Sequence, residues 1–77
     1  MTDIRARLVA CFATVFPELP ETEIASARMT SIERWDSLAM ANLVVVIEEE
    51  FGIQIKPKDL EQMVSFQQIL HYLESNG

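Results

Sequence analysis

Few side chains in this 77-residue sequence are placed to do chemistry, and one serine stands apart from the rest. Ser37 lies in Trp35-Asp36-Ser37-Leu38, where a stretch scattered with Pro, Thr and Ser meets an apolar, helix-forming segment. A serine at such a corner has an exposed hydroxyl. It sits beside backbone N–H groups that lack helical partners, at the positive end of a helix dipole. A phosphodiester formed on that hydroxyl would be favoured there by about 0.3–1 kcal/mol. Read more plainly, Asp36 caps the helix and Ser37 fills its first turn.

The other candidates fail on geometry. Three carboxylates in a row, Glu48, Glu49 and Glu50, fan out 100° apart on a helix and cannot converge on one ion, so no metal site is expected. His71, the only histidine, falls opposite an apolar stripe of Phe66, Leu70 and Leu73 and reads as a solvated side chain. With two glycines, Gly52 and Gly77, the chain has no phosphate-cradling loop. One cysteine and one histidine exclude both an internal disulfide and a four-ligand Cys/His zinc site. The sequence holds no catalytic grouping, and an enzyme is not expected.

The elements that must position Ser37 are helical. Ile4, Leu8, Cys11, Phe12 and Val15 recur at 3–4 spacing, one face of a helix capped by Thr2 or Asp3 and ended by Pro17. Residues 17–35 form a long loop with a short helical turn near Glu21–Ala27, tied to the core by Ile24, Met29 and Ile32. Asp36 opens a second helix that ends where Gly52 fits the C′ position. Pro57 suits the first turn of a short third helix through about Met63. Ser65-Phe66-Gln67-Gln68 is a capping box for the last helix. The expected fold is all-α: a single domain over residues 1–77, a small four-helix bundle of three longer helices and one short. A long loop separates helices 1 and 2.

On the second helix, Met40, Leu43, Val44, Ile47 and Phe51 fall within one arc, the core face. The opposite arc holds Ala41, Asn42, Val45, Val46, Glu48 and Glu49. It is apolar in the middle and acidic at the end. Apolar residues grouped on a surface mark contact sites.

Charge narrows the partners. Twelve acids against six bases leave a formal charge of −6, which disfavours nucleic acid and anionic lipid. Residues 36–55 hold Asp36 and the three glutamates and no base, so a basic protein surface is the complementary partner. The longest clean apolar run, Leu43–Ile47, is far too short to span a membrane. Leu8-Val9-Ala10-Cys11 looks like a lipoprotein cleavage box, but three residues between Arg7 and Cys11 cannot form a signal's apolar region. A cytoplasmic monomer with Cys11 buried is the expectation.

From about Ile4 to Leu73 the chain resembles the acyl carrier protein family. The likeness is strongest in Asp36-Ser37-Leu38, Leu43, Ile47 and Glu48-Glu49-Glu50-Phe51-Gly52-Ile53, followed by Ile55, Phe66, Ile69 and Tyr72-Leu73. The resemblance implies that Ser37, flanked by Asp36 and Leu38, receives 4′-phosphopantetheine from coenzyme A through a separate phosphopantetheinyl transferase. The arm's thiol would hold acyl groups as thioesters for fatty acid, polyketide or related biosynthesis. It implies that the helix from Ser37 is a recognition helix. Ala41, Val45 and Glu48, flanked by Asn42 and Glu49, would meet basic, partly apolar patches on acyl-transferring, ketosynthase or ligase-type enzymes. Met40, Leu43, Val44, Ile47 and Phe51 would line the space between helices that shelters short acyl chains.

The chain also departs from that pattern. Arg34 and Trp35 stand where glycine and alanine commonly precede Asp-Ser-Leu in fatty-acid carriers. Acids common early in the recognition helix are replaced by Ala39 or Met40 and by Asn42. Asp36 sets the chain apart from peptidyl carriers, which favour Gly-Gly-x-Ser-Leu. These departures point to a specialised carrier for a dedicated pathway. The alternative is a non-catalytic acidic helical interaction module whose Ser37 stays bare.

Overall fold

The computed structural model describes residues 3–76 and is all-α, with five helical segments and no strand among those residues. Helix α1 (Ile4–Val15) leads into the single-turn α2 (Glu21–Ile24), and α3 (Ser37–Phe51) follows the long loop. A 3₁₀ helix (Pro57–Gln62) precedes α4 (Phe66–Asn76).

The ends of these helices have identifiable causes. Asp3 caps α1 by accepting the Arg5 amide at 3.0 Å; the alternative cap, Thr2, lies outside the described residues. Pro17 stops the helix just beyond Phe16, whose amide still reaches the Phe12 carbonyl at 2.7 Å. Gly52 ends α3 with φ 63°, the left-handed conformation that glycine adopts without strain. Ser65 caps α4 by accepting the Gln68 amide at 3.2 Å, and its hydroxyl meets Gln68 Oε1 at 3.4 Å.

The segment opened by Pro57 is a 3₁₀ helix. It closes with the Met63 amide donating to the Leu60 carbonyl at 3.0 Å, and Met63 is fully buried while Leu60 is half-buried. Tyr72 of α4 fastens this segment by donating to Asp59 Oδ2 at 2.9 Å.

The core is aromatic at its centre. Phe12 meets Trp35 edge-on at 5.4 Å and Phe66 at 5.2 Å, with Phe16 tilted against it at 6.1 Å. Such contacts are each worth about 0.5–1.5 kcal/mol beyond the area they bury. Leu8, Ile24, Leu43, Ile47, Ile69 and Leu73 are among the other side chains of the interior. Met29 and Ile32 pack against it from the long loop. Backbone bonds also hold that loop: the Met29 amide donates to the Val64 carbonyl at 2.8 Å and the Phe66 amide to Ala27 at 3.0 Å. This two-bond clasp joins the loop to the start of α4.

Among the described residues no helix is long and apolar enough to cross a membrane. Cys11 is buried and unpaired, and burial pushes its thiol up to about 11, with Glu50 adding to the rise and Arg7 opposing it.

Candidate functional site

The site begins at a cap. Asp36, in extended backbone, accepts the Ala39 amide at 2.9 Å, and its own carbonyl accepts the Met40 amide at 2.9 Å. The turn from loop to helix is thereby set, and Ser37 becomes the first residue of α3. Its side chain is exposed, and among the described residues nothing bonds its hydroxyl. A free hydroxyl at the start of a fifteen-residue helix, with the first-turn amides beside it, offers what a phosphodiester needs: access, a nucleophilic oxygen and a field favouring negative charge. The residues therefore fit a covalent phosphate-linked group.

Behind the serine, Trp35 keeps the corner rigid. It is buried, meets Phe12 edge-on and Phe16 at a tilt, and donates its indole N–H to Met40 Sδ at 3.2 Å. This anchoring role was not legible in the sequence, where Trp35 counted only as a departure from a motif. A large aromatic immediately before an N-cap was the signal that could have shown it.

The far end of α3 is held as firmly. Arg7 donates Nε to Glu50 Oε2 at 2.8 Å and Nη2 to the Glu50 carbonyl, while its guanidinium lies 4.5 Å from the Phe51 ring centroid. A cation on the last carbonyls of a helix complements the negative end of its dipole. Glu48 turns inward and accepts the Ile55 amide at 2.7 Å.

The residues proposed to face partners divide accordingly. Ala41, Asn42 and Glu49 are exposed, as is Val45 at 51%, whereas Glu48 is half-buried and occupied by Ile55. Val46, on the same arc of the helical wheel, packs against the core. Leu38 is 72% exposed and stands beside Ser37 as an uncovered apolar side chain. On the inner face Leu43 and Ile47 are sealed, Met40 is engaged by Trp35, and Val44 and Phe51 are half-buried. His71 is exposed on α4, in a separate shallow cleft with Gln62, Gln68 and Tyr72. Among the described residues no group of three or more His, Cys, Asp or Glu side chains is placed to hold a metal.

Comparison with known proteins agrees with this geometry. The chain is 38% identical over 42 residues to an acyl carrier protein of Campylobacter concisus, covering 54% of each chain. It is 40% identical over 42 residues to an acyl carrier protein of Bdellovibrio bacteriovorus, again 54% of each. An acyl carrier protein of Phaeodactylum tricornutum is 42% identical over 41 residues, 53% of this chain and 54% of its own. The matched stretch spans about half the length of these curated relatives. The family described as the phosphopantetheine attachment site matches residues 6–73, nearly the whole sequence, with the free serine near its middle. By that match the chain belongs to the phosphopantetheine attachment site family, whose prosthetic group is covalent 4′-phosphopantetheine.

Proposed function

We propose that the protein is an acyl carrier and that Ser37 is its attachment residue. The observation that carries this reading is the exposed, unbonded hydroxyl at the head of α3, inside the matched residues 6–73. In loading, Ser37 Oγ attacks the phosphorus of coenzyme A that bears pantetheine. The phosphoanhydride P–O bond breaks, 3′,5′-adenosine diphosphate leaves, and the hydroxyl proton passes to a base of the transferase. Asp36 Oδ1 is already engaged by the Ala39 amide and His71 lies on α4, which favours a base supplied by the transferase. When attached, the arm would supply a thiol that holds acyl groups as thioesters, and anchoring at Ser37 would keep them at high effective concentration near partner active sites.

The same reading describes a four-helix carrier fold with the long loop between α1 and α3, acting as a monomer. A reducing, cytoplasmic setting suits a carrier whose working group is a free thiol. Partners would dock on α3 through Leu38, Ala41, Asn42 and Val45, with a basic group meeting Glu49. A dedicated pathway, rather than general fatty acid synthesis, is supported by Arg34 and Trp35 before the motif. It is also supported by Glu48, whose carboxylate turns to the Ile55 amide, and by Glu50, whose charge Arg7 offsets. Those contacts leave the recognition helix less acidic outwardly than its composition suggests.

Incubation with coenzyme A and a broad-specificity phosphopantetheinyl transferase tests the assignment. Intact mass is expected to rise by one phosphopantetheine, and Ser37→Ala is expected to abolish the gain. No gain, or a gain that survives Ser37→Ala, overturns the reading and leaves an acidic helical interaction module.

A further inference from the structure

Both neighbours of Ser37, Asp36 and Leu38, line a cleft of about 410 Å³ between the chain leaving α1 and the first turns of α3. Three charged side chains share that lining: Glu18, Asp36 and Arg34, the one base among them. Arg34 donates Nη1 to Glu18 Oε1 at 2.7 Å, and the two side chains are 73% and 60% exposed. Arg34 precedes Ser37 by three residues, so the backbone alone keeps their Cα atoms within about 11 Å of each other.

Resting on the carrier reading, we propose that Arg34 is a positioning residue for the arm: it exchanges its bond to Glu18 for the phosphodiester on Ser37 once the protein is loaded. Charge is the first argument. In the unloaded protein the two carboxylates of the cleft already outnumber its guanidinium. Loading adds a permanent anion next to Asp36, and residues 36–55 contain no base to offset it. Arg34 is the nearest cation along the chain.

The weakness of the existing pair is the second argument. An exposed ion pair shifts an equilibrium by about fivefold at most, whereas an anion tethered three residues away competes at high effective concentration. Geometry favours the newcomer as well. Glu18 occupies Nη1, which leaves Nε and Nη2 of Arg34 to donate to phosphate oxygens, the paired arrangement that guanidinium and phosphate favour. The exchange pins the root of the arm beside the loop and leaves its thiol end free. It also releases the Glu18 carboxylate, so loaded and unloaded protein present different charges where the chain leaves α1.

The test uses the full chain loaded from coenzyme A by a broad-specificity transferase, with loading checked by intact mass. The ³¹P resonance of the phosphodiester is expected to move in Arg34→Ala and to move less in Arg34→Lys, which keeps the charge without the planar fork. Glu18→Gln frees Arg34 and is expected to move the resonance the opposite way. Arg28→Ala serves as control with an unchanged position, since Arg28 is exposed in a different cleft with Val64 and Ser65. The Leu19 amide is expected to shift on loading in wild type and to stay in Arg34→Ala. In urea denaturation, Arg34→Ala is expected to lower the folded-to-unfolded ratio about two- to fivefold more in loaded than in unloaded protein. A ³¹P position unchanged in Arg34→Ala, or moved as far by Arg28→Ala, overturns the proposal. Equal destabilisation of the two forms by Arg34→Ala does the same. In each case the measured mass gain leaves the carrier reading standing. A chain that never gains mass sinks both, and the mass spectrum alone reveals it.

Discussion

Trp35 donates its indole N–H to Met40 Sδ at 3.2 Å, which ties the residue ahead of the helix cap to the second turn of the helix itself. The serine between them is therefore presented from a braced corner. Trp35→Ala removes the largest fully buried side chain and its contacts with Phe12 and Phe16. A loss of about 3–5 kcal/mol is expected from urea denaturation. Trp35→Phe keeps much of the ring packing but not the N–H···S contact, and a markedly smaller loss is expected.

The acids of α3 do different work. Glu48 satisfies the Ile55 amide at 2.7 Å from a half-buried position, whereas Glu49 is exposed. Glu48→Ala is expected to cost about 1–3 kcal/mol, the cost of leaving that amide unsatisfied. Glu49→Ala is expected to change stability by less than about 0.5 kcal/mol. Loading by a transferase should show the reverse pattern, with Glu49→Lys lowering kcat/KM in a folded, fully stable protein.

Gly52 holds φ 63° at the end of α3, and a Cβ built there meets nothing within 4 Å. The cost of Gly52→Ala is thus purely backbone strain, about 1–2 kcal/mol. Thermal denaturation should register that loss without any change in the extent of Ser37 loading. A larger loss would point to a steric clash that the open space around Gly52 does not predict.

Cys11 gives a pH signature. Its folded thiol is raised to about 11 from an ordinary 9.0, chiefly by burial. Below about pH 9 the thiol is protonated in both states and contributes no pH dependence. Above that, the unfolded chain releases a proton that the folded chain retains, so stability falls until about pH 11. Denaturation of wild type and Cys11→Ala, compared near neutral pH and near pH 10, should show the extra decline only in wild type. The same burial leaves Cys11 inert to Ellman's reagent at neutral pH. Holo protein is expected to show one fast thiol where apo protein shows none.

Much of this molecule was legible in its sequence because the relevant signals are local. Asp3, Asp36, Gly52 and Ser65 each bracket a helix through bonds or dihedrals spanning only a few residues, and the structure places each as its type dictates. The 3.6-residue period likewise located Leu43 and Ile47 in the core. Long-range partners were not legible. That Arg7 would clamp Glu50, that Glu48 would turn to Ile55, and that Met29 would bond Val64 depend on how helices approach one another. Side chains identical in type then face solvent or the interior according to which backbone groups the packing leaves unsatisfied. The serine and its cap were written in the chain; the packed aromatic centre and the open cleft beside that serine arise only when α1, the loop and α3 meet.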